Sequence, residues 1–213
     1  MSSSTTFPRF DRIVDLPQPL LPTFERVGSF ADTHVSSSEA NGGDKDIPAG
    51  GQLIWSDLRD SISTRPGTDI AFDLVQSTTI HNEDSSTAHL AAGATKFIVG
   101  SFSAIAQEKL MDLVGLAFAD GSAKAAGGAM TVMQSKNEDE HWERTGWEYR
   151  LLCAYPNADL PGHFYTVVAT IKYTHEVKTE PGLFGFGGSV KHSYKADVVA
   201  MRLAVEKGFG LDL

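Results

Sequence analysis

Three observations predict an α+β fold built on an antiparallel sheet. Apolar residues recur at threes and fours from about Ser86 to Asp120, the period of amphipathic helix. From Ala129 onward the chain changes to alternation, with β-branched and aromatic residues grouped between turn signals. The helical stretch precedes the run of strands rather than interleaving with it, which separates α+β from α/β.

Residues 1–50 are rich in Ser, Pro, Gly and Asp and read as an N-terminal arm or loop, leaving 51–213 as a single α/β domain. Within the arm, Phe7-Pro8-Arg9-Phe10 and Leu20-Leu21-Pro22 read as extended pieces pinned by a few hydrophobes. Gly51 to Ile62 places Leu53, Ile54, Leu58 and Ile62 at helical spacing and ends in an Arg65-Pro66-Gly67 turn. Asp69 to Ile80 alternates and predicts a strand. In the stretch from Ser86 to Asp120, Gly93 and Gly100 favour two packed helices over one. Four strands in meander follow: Ala129–Ser135, Gly146–Tyr155, His163–Tyr173 with its THEVKTE continuation, and Ser189–Val205.

The second and third of these make the most strand-like hairpin in the chain. Trp147, Tyr149, Leu151, Cys153 and Tyr155 share one face of the first arm. The second arm carries Tyr165, Val167, Ala169, Ile171 and Tyr173 on one side and Phe164, Thr166, Val168 and Thr170 on the other. It is apolar on both faces near its middle, so the sheet needs a cover on each side.

Composition excludes several functions. A net charge of −9 with no Lys/Arg cluster argues against nucleic acid as partner. A single cysteine rules out an internal disulfide. The N-terminus MSSSTTFPRF has no apolar core of the signal-peptide kind, and no run reaches the ~18 apolar residues of a membrane helix. The chain is therefore expected to be made soluble in the cytoplasm, and any membrane contact must come from strands or a surface.

Chemistry is sparse. The seven histidines are dispersed, with no pair at metal-ligand spacing, so neither a metal nor another cofactor is expected. Cys153, on an apolar strand, lacks any nucleophile signature. Acid/base pairs such as His175 with Glu176 carry no specificity, and no catalytic residue is nominated. Gly182 to Gly188 lacks the setting of a phosphate loop. Its Leu183, Phe184 and Phe186, interleaved with glycines, instead suit a lipid-anchoring hairpin tip or a fold-back onto the sheet edge. The three long strand segments each meet the about 9–11 residues a tilted spanning strand requires.

Three stretches carry a resemblance: Ala129–Lys136 (AMTVMQSK), Glu148–Asn157 (EYRLLCAYPN) with Gly162–Val168 (GHFYTVV), and Ser193–Leu203 (SYKADVVAMRL). In order and hydrophobic spacing they resemble the cytolytic delta-endotoxins (Cyt toxins), with their fungal cardiotoxic relatives and the Evf virulence factor, over about residues 55 to 206. The resemblance implies a three-layer α/β/α domain with a central antiparallel sheet covered by helical hairpins. It also implies a soluble-to-membrane transition in which the helices move aside and long strands meet lipid, without an enzyme activity.

On that reading the lipid-contacting candidates are Trp147, Leu151, Tyr155, Phe164, Tyr165, Val167, Val168, Ile171, Leu183, Phe184 and Phe186, with Cys153 as a candidate acylation site. The implied partners are membrane lipids, a bound fatty acid, and further copies of the chain as a dimer or membrane oligomer. The place of action is a target-cell membrane after release. Two alternatives stay open: a lipid- or acyl-binding protein of the same fold that makes no pore, and an α+β enzyme with an unrecognised site.

Overall fold

The computed structural model describes residues 10–36, 52–82, 87–102, 107–119, 130–137, 142–180 and 188–211. Among these residues, six strands and four α-helices form three layers. The strands are β1 (Asp11–Val14), β2 (Ile70–Asn82), β3 (Met130–Asn137), β4 (Trp142–Pro156), β5 (His163–Glu180) and β6 (Ser189–Glu206). The helices are α1 (Leu21–Asp32), α2 (Trp55–Ser63), α3 (Thr87–Ser101) and α4 (Gln107–Ala119).

The sheet runs β1-β4-β5-β6-β2, with β3 on the same outer edge of β4 as β1. The two share that edge end to end: β3 pairs antiparallel with Trp142–Tyr149, and β1 pairs parallel with Leu151–Ala154. All other pairings are antiparallel, as the meander predicts. Gly162, at φ 86°, turns β4 into β5, a conformation glycine adopts without a Cβ penalty.

Gly146 to Tyr155 are buried without interruption, so this stretch of β4 is covered on both faces. Two cores result. One packs Leu90, Ala94 and Ile98 of α3 with Leu110, Val114 and Phe118 of α4 on one face. The other packs Phe24, Val27 and Ala31 of α1 with Leu58 and Ile62 of α2 on the opposite face. In each helix the buried residues recur at threes and fours, so one stripe faces the sheet.

Residues 10–36 correct the reading of this region as an arm. They are part of the domain: Phe10 is buried, β1 completes the edge of β4, and α1 is half of one cover. Pro22, taken as part of an extended piece, stands at the start of α1, where its missing N–H has no helical partner to lose. Phe7 and the Ser36–Gly51 loop lie largely outside the described residues, as do Leu183, Phe184 and Phe186.

Candidate functional site

Over the covered middle of the long strands, parity assigns each side chain to one cover or the other. Under α3 and α4 lie Trp147, Tyr149, Leu151, Cys153 and Tyr155 of β4, Val167, Ala169, Ile171 and Tyr173 of β5, and Ala196, Val198 and Ala200 of β6. Tyr165 packs against the same group. Phe164 and Val168 face the other way, into the α1/α2 core. The described lipid-contacting residues proposed from the sequence therefore divide between two layers and do not form one surface.

The opposite face is of different character. Glu148, Arg150, Thr166 and Thr170 are all buried there among the apolar groups. Arg150 is fully buried, and its Nη1 donates to Glu148 Oε1 at 3.3 Å. That same carboxylate oxygen accepts from the Leu53 backbone N–H at 3.0 Å. Burial pushes the Glu148 carboxyl above the ordinary carboxylate range, against the lowering effects of the Leu53 N–H and of Arg150. Sequence reasoning missed this pair, because charged residues flanked by apolar ones on a strand ordinarily mark a solvated face.

Polar ties to the sheet and its C-terminal turn follow the same division. On the α1/α2 side, Thr23 Oγ1 donates to Lys207 O at 2.5 Å and Arg26 Nε to Phe209 O at 2.6 Å. Trp55 Nε1 donates to Thr170 Oγ1 at 3.2 Å, Arg65 makes a forked pair with Asp69, and Arg12 of β1 pairs with Glu25 of α1. Among the described residues, α3 and α4 make no side-chain hydrogen bond or ion pair to the sheet. Among the described residues, apolar packing holds that cover. Its contact surface is rich in small residues, and a Cβ on Gly93 would sit 3.0 Å from Ile80 Cδ1.

Cys153 is 1% exposed beneath α3 and α4, and burial pushes its thiol far above the ordinary range. In the closed fold it is a packing group, and an acyl chain attached to it would occupy the core under that cover. Among the described residues no group of His, Cys, Asp and Glu is arranged to hold a metal ion. No described helix is long and apolar enough to cross a membrane.

The sheet also joins two histidines that the sequence leaves apart. His175 Nε2 and His192 Nδ1 stand 3.1 Å apart across β5 and β6, and the His175 ring stacks on Tyr194 at 4.5 Å. Burial and the neighbouring His192 lower the His175 pKa, with Glu143 opposing them. The neutral ring is thus favoured in the fold, so this contribution is present above the ordinary histidine pKa of about 6.5 and lost as pH falls through the depressed value. Acidification is expected to loosen this end of the β5–β6 hairpin, read as faster amide exchange at Tyr194 and His175. A His175→Phe variant should show a smaller pH response.

With this geometry established, the class of fold is clear: the protein has a Cyt-toxin-like α+β fold. A delta-endotoxin structure matches with a TM-score of 0.62 and 10% identity, over 93% of this chain and 81% of that one. Activated Cyt2Ba monomer from Bacillus thuringiensis subsp. israelensis matches with a TM-score of 0.58 and 9% identity, over 93% of this chain and 98% of that one. No protein-family model matches the chain, and no curated protein matches its sequence.

Proposed function

We propose that the protein is a membrane-active, cytolysin-type toxin whose sheet meets lipid once a helical cover is displaced, acting through packing and without catalytic residues. The observation that carries this reading is the α3–α4 cover, which lies over an almost wholly apolar sheet face and has no described polar tie to it. Lipid tails are as apolar as the leucines they replace, so a sheet face of this kind loses little by exchanging helix for hydrocarbon. Lipid is the partner, several copies assemble on the membrane, and target-cell membranes after release are the place of action.

The test is dye release from liposomes. Wild-type protein is expected to release an entrapped dye from vesicles of anionic and zwitterionic lipid. No release across neutral and acidic pH and across both lipid types would sink the reading.

A second reading, binding of a fatty-acyl amphiphile without release, is favoured by a groove of about 500 Å³ between α2 and the sheet. Trp55, Phe72, Val75, Val199 and Met201 make it apolar, and Arg59 lies on its wall to meet an anionic head. It predicts co-purified lipid in native mass spectra of a protein that leaves vesicles intact.

A further inference from the structure

The C-terminal ends of α1 and α2 meet through a hydroxyl–imidazole contact between residues 27 positions apart in the chain. His34 lies just past α1, and Ser61 lies in the last turn of α2. Ser61 Oγ stands 2.8 Å from His34 Nε2. The other ring nitrogen, Nδ1, stands 2.8 Å from the Phe30 carbonyl oxygen and 3.1 Å from Thr33 Oγ1. The Thr33 hydroxyl already donates to that same carbonyl at 2.7 Å, so both neighbours of Nδ1 act as acceptors. A carbonyl accepts only from a donor, which puts the ring proton on Nδ1 and leaves the Nε2 lone pair facing Ser61. Ser61 Oγ–H therefore donates to His34 Nε2, and His34 Nδ1–H donates to Phe30 O.

Nucleophile, base and orienting group thus stand in the order and at the distances of a serine-type acyl-transfer centre, with a backbone carbonyl in place of the third carboxylate. The Phe30 ring meets the imidazole edge-on at 4.8 Å and packs on Phe209 at 5.6 Å, which fixes the base from the side. Neither Ser61 nor His34 is fully buried, so small solutes reach the hydroxyl.

The position of Ser61 limits this chemistry. In the last turn of a helix the leftover backbone groups are carbonyls, and the helix end opposes negative charge on a tetrahedral oxygen. A positioned oxyanion donor is ordinarily worth about 10²–10³ in rate. General-base assistance by itself supplies about 10²–10⁴. That suffices for acyl groups on good leaving groups and falls short for amides.

We infer that Ser61 is a nucleophile, with His34 as its general base, and that it accepts short acyl groups from activated esters and thioesters. Oγ bonds to the carbonyl carbon as its proton passes to His34 Nε2. The bond from that carbon to the leaving oxygen or sulfur breaks, and the leaving group takes the proton. Water, deprotonated by His34 in turn, then cleaves the acyl–Oγ bond, which releases the carboxylic acid and restores the hydroxyl. Membrane action uses none of these steps, so the two readings stand or fall separately.

The probe is 4-nitrophenyl acetate on the full chain, with acetyl positions read by peptide mass mapping. Ser63, two residues along α2 and more exposed than Ser61, is the internal control. Ser61 is expected to be acetylated at least roughly a hundredfold faster than Ser63, within the range of general-base assistance. His34→Gln should bring Ser61 down to the Ser63 rate. Equal labelling, preference for Ser63, or a rate indifferent to His34→Gln overturns the inference.

Should His34→Gln lose cooperative melting, Ser61→Cys in a Cys153→Ala background provides a second measurement. A thiol beside an imidazole base should be alkylated by iodoacetamide at least roughly tenfold faster than the thiol of Ser63→Cys. A ratio of one or less overturns the inference, because a purely structural hydrogen bond shields the group without activating it.

Discussion

A disulfide between Ile80→Cys and Gly93→Cys is expected to abolish dye release, and reduction is expected to restore it. A Cβ built on Gly93 lies 3.4 Å and 3.7 Å from Ile80 Cγ2 and Cγ1, the two atoms bonded to the Ile80 Cβ. The two Cβ atoms are therefore within reach of the roughly 3.5–4.5 Å that a disulfide requires. The bond would tie α3 to β2 across an interface that carries no described polar tie. Closing a loop of this length also stabilises the folded state by about 3 kcal/mol, so the oxidised form should melt higher as well as lose activity. Gly93 is interior to α3, where a residue with a side chain has the better helix propensity.

The matching staple on the other cover separates displacement of α3–α4 from a general need for flexibility. Arg26→Cys with Gly210→Cys brings Cβ atoms to 3.5 Å and ties α1 to the turn after β6. Gly210 has φ 74°, so a cysteine there costs about 1 kcal/mol, and the crosslink offsets that strain. The oxidised protein should release dye within about twofold of its reduced form, far below the roughly tenfold that 1.4 kcal/mol of new coupling would represent. Equal inhibition by the two staples would mean that both covers move. No inhibition by the Ile80–Gly93 bond would mean that neither α3 nor its partner has to leave.

The parts of this architecture that are legible in the sequence are those set by local periodicity. The length of β4, β5 and β6 follows from alternation, whereas Gly93 and Gly100, read as favouring two helices, both lie inside α3. The need for two covers is visible in β5 alone, where Val167 and Val168 are both apolar although they point to opposite faces. What escapes local reading is non-local. β1 is four residues long and takes its stability from pairing with β4 some 140 positions away, so nothing in Asp11–Val14 by itself signals a strand. Parity alone puts Phe164 and Val168 on the side opposite Tyr165 and Val167, but which helices cover each side is set by non-local packing. The His175–His192 contact depends on the register of the β5–β6 hairpin, which the sequence does not specify across the Gly-rich turn.

Glu148→Ala is expected to be the most destabilising single change on the α1/α2 face of the sheet, by about 3–5 kcal/mol, because it leaves Arg150 buried without this partner. It also removes the acceptor of the Leu53 N–H, a group that anchors the start of α2 against the sheet. Glu148→Gln keeps an acceptor at that position and should cost markedly less in urea unfolding. The two carboxamide-level effects can be separated by pH. Burial holds the Glu148 carboxyl above its ordinary value, so its favourable contribution is fully present below the unfolded pKa of about 4.5 and is lost as pH rises through the raised folded value. The stability of wild type relative to Glu148→Gln should therefore improve as pH falls from neutrality, and an unchanged difference would show that the carboxylate is ionised throughout. The double change Glu148→Gln with Arg150→Met should recover part of the loss, since a buried pair replaced together leaves no lone charge.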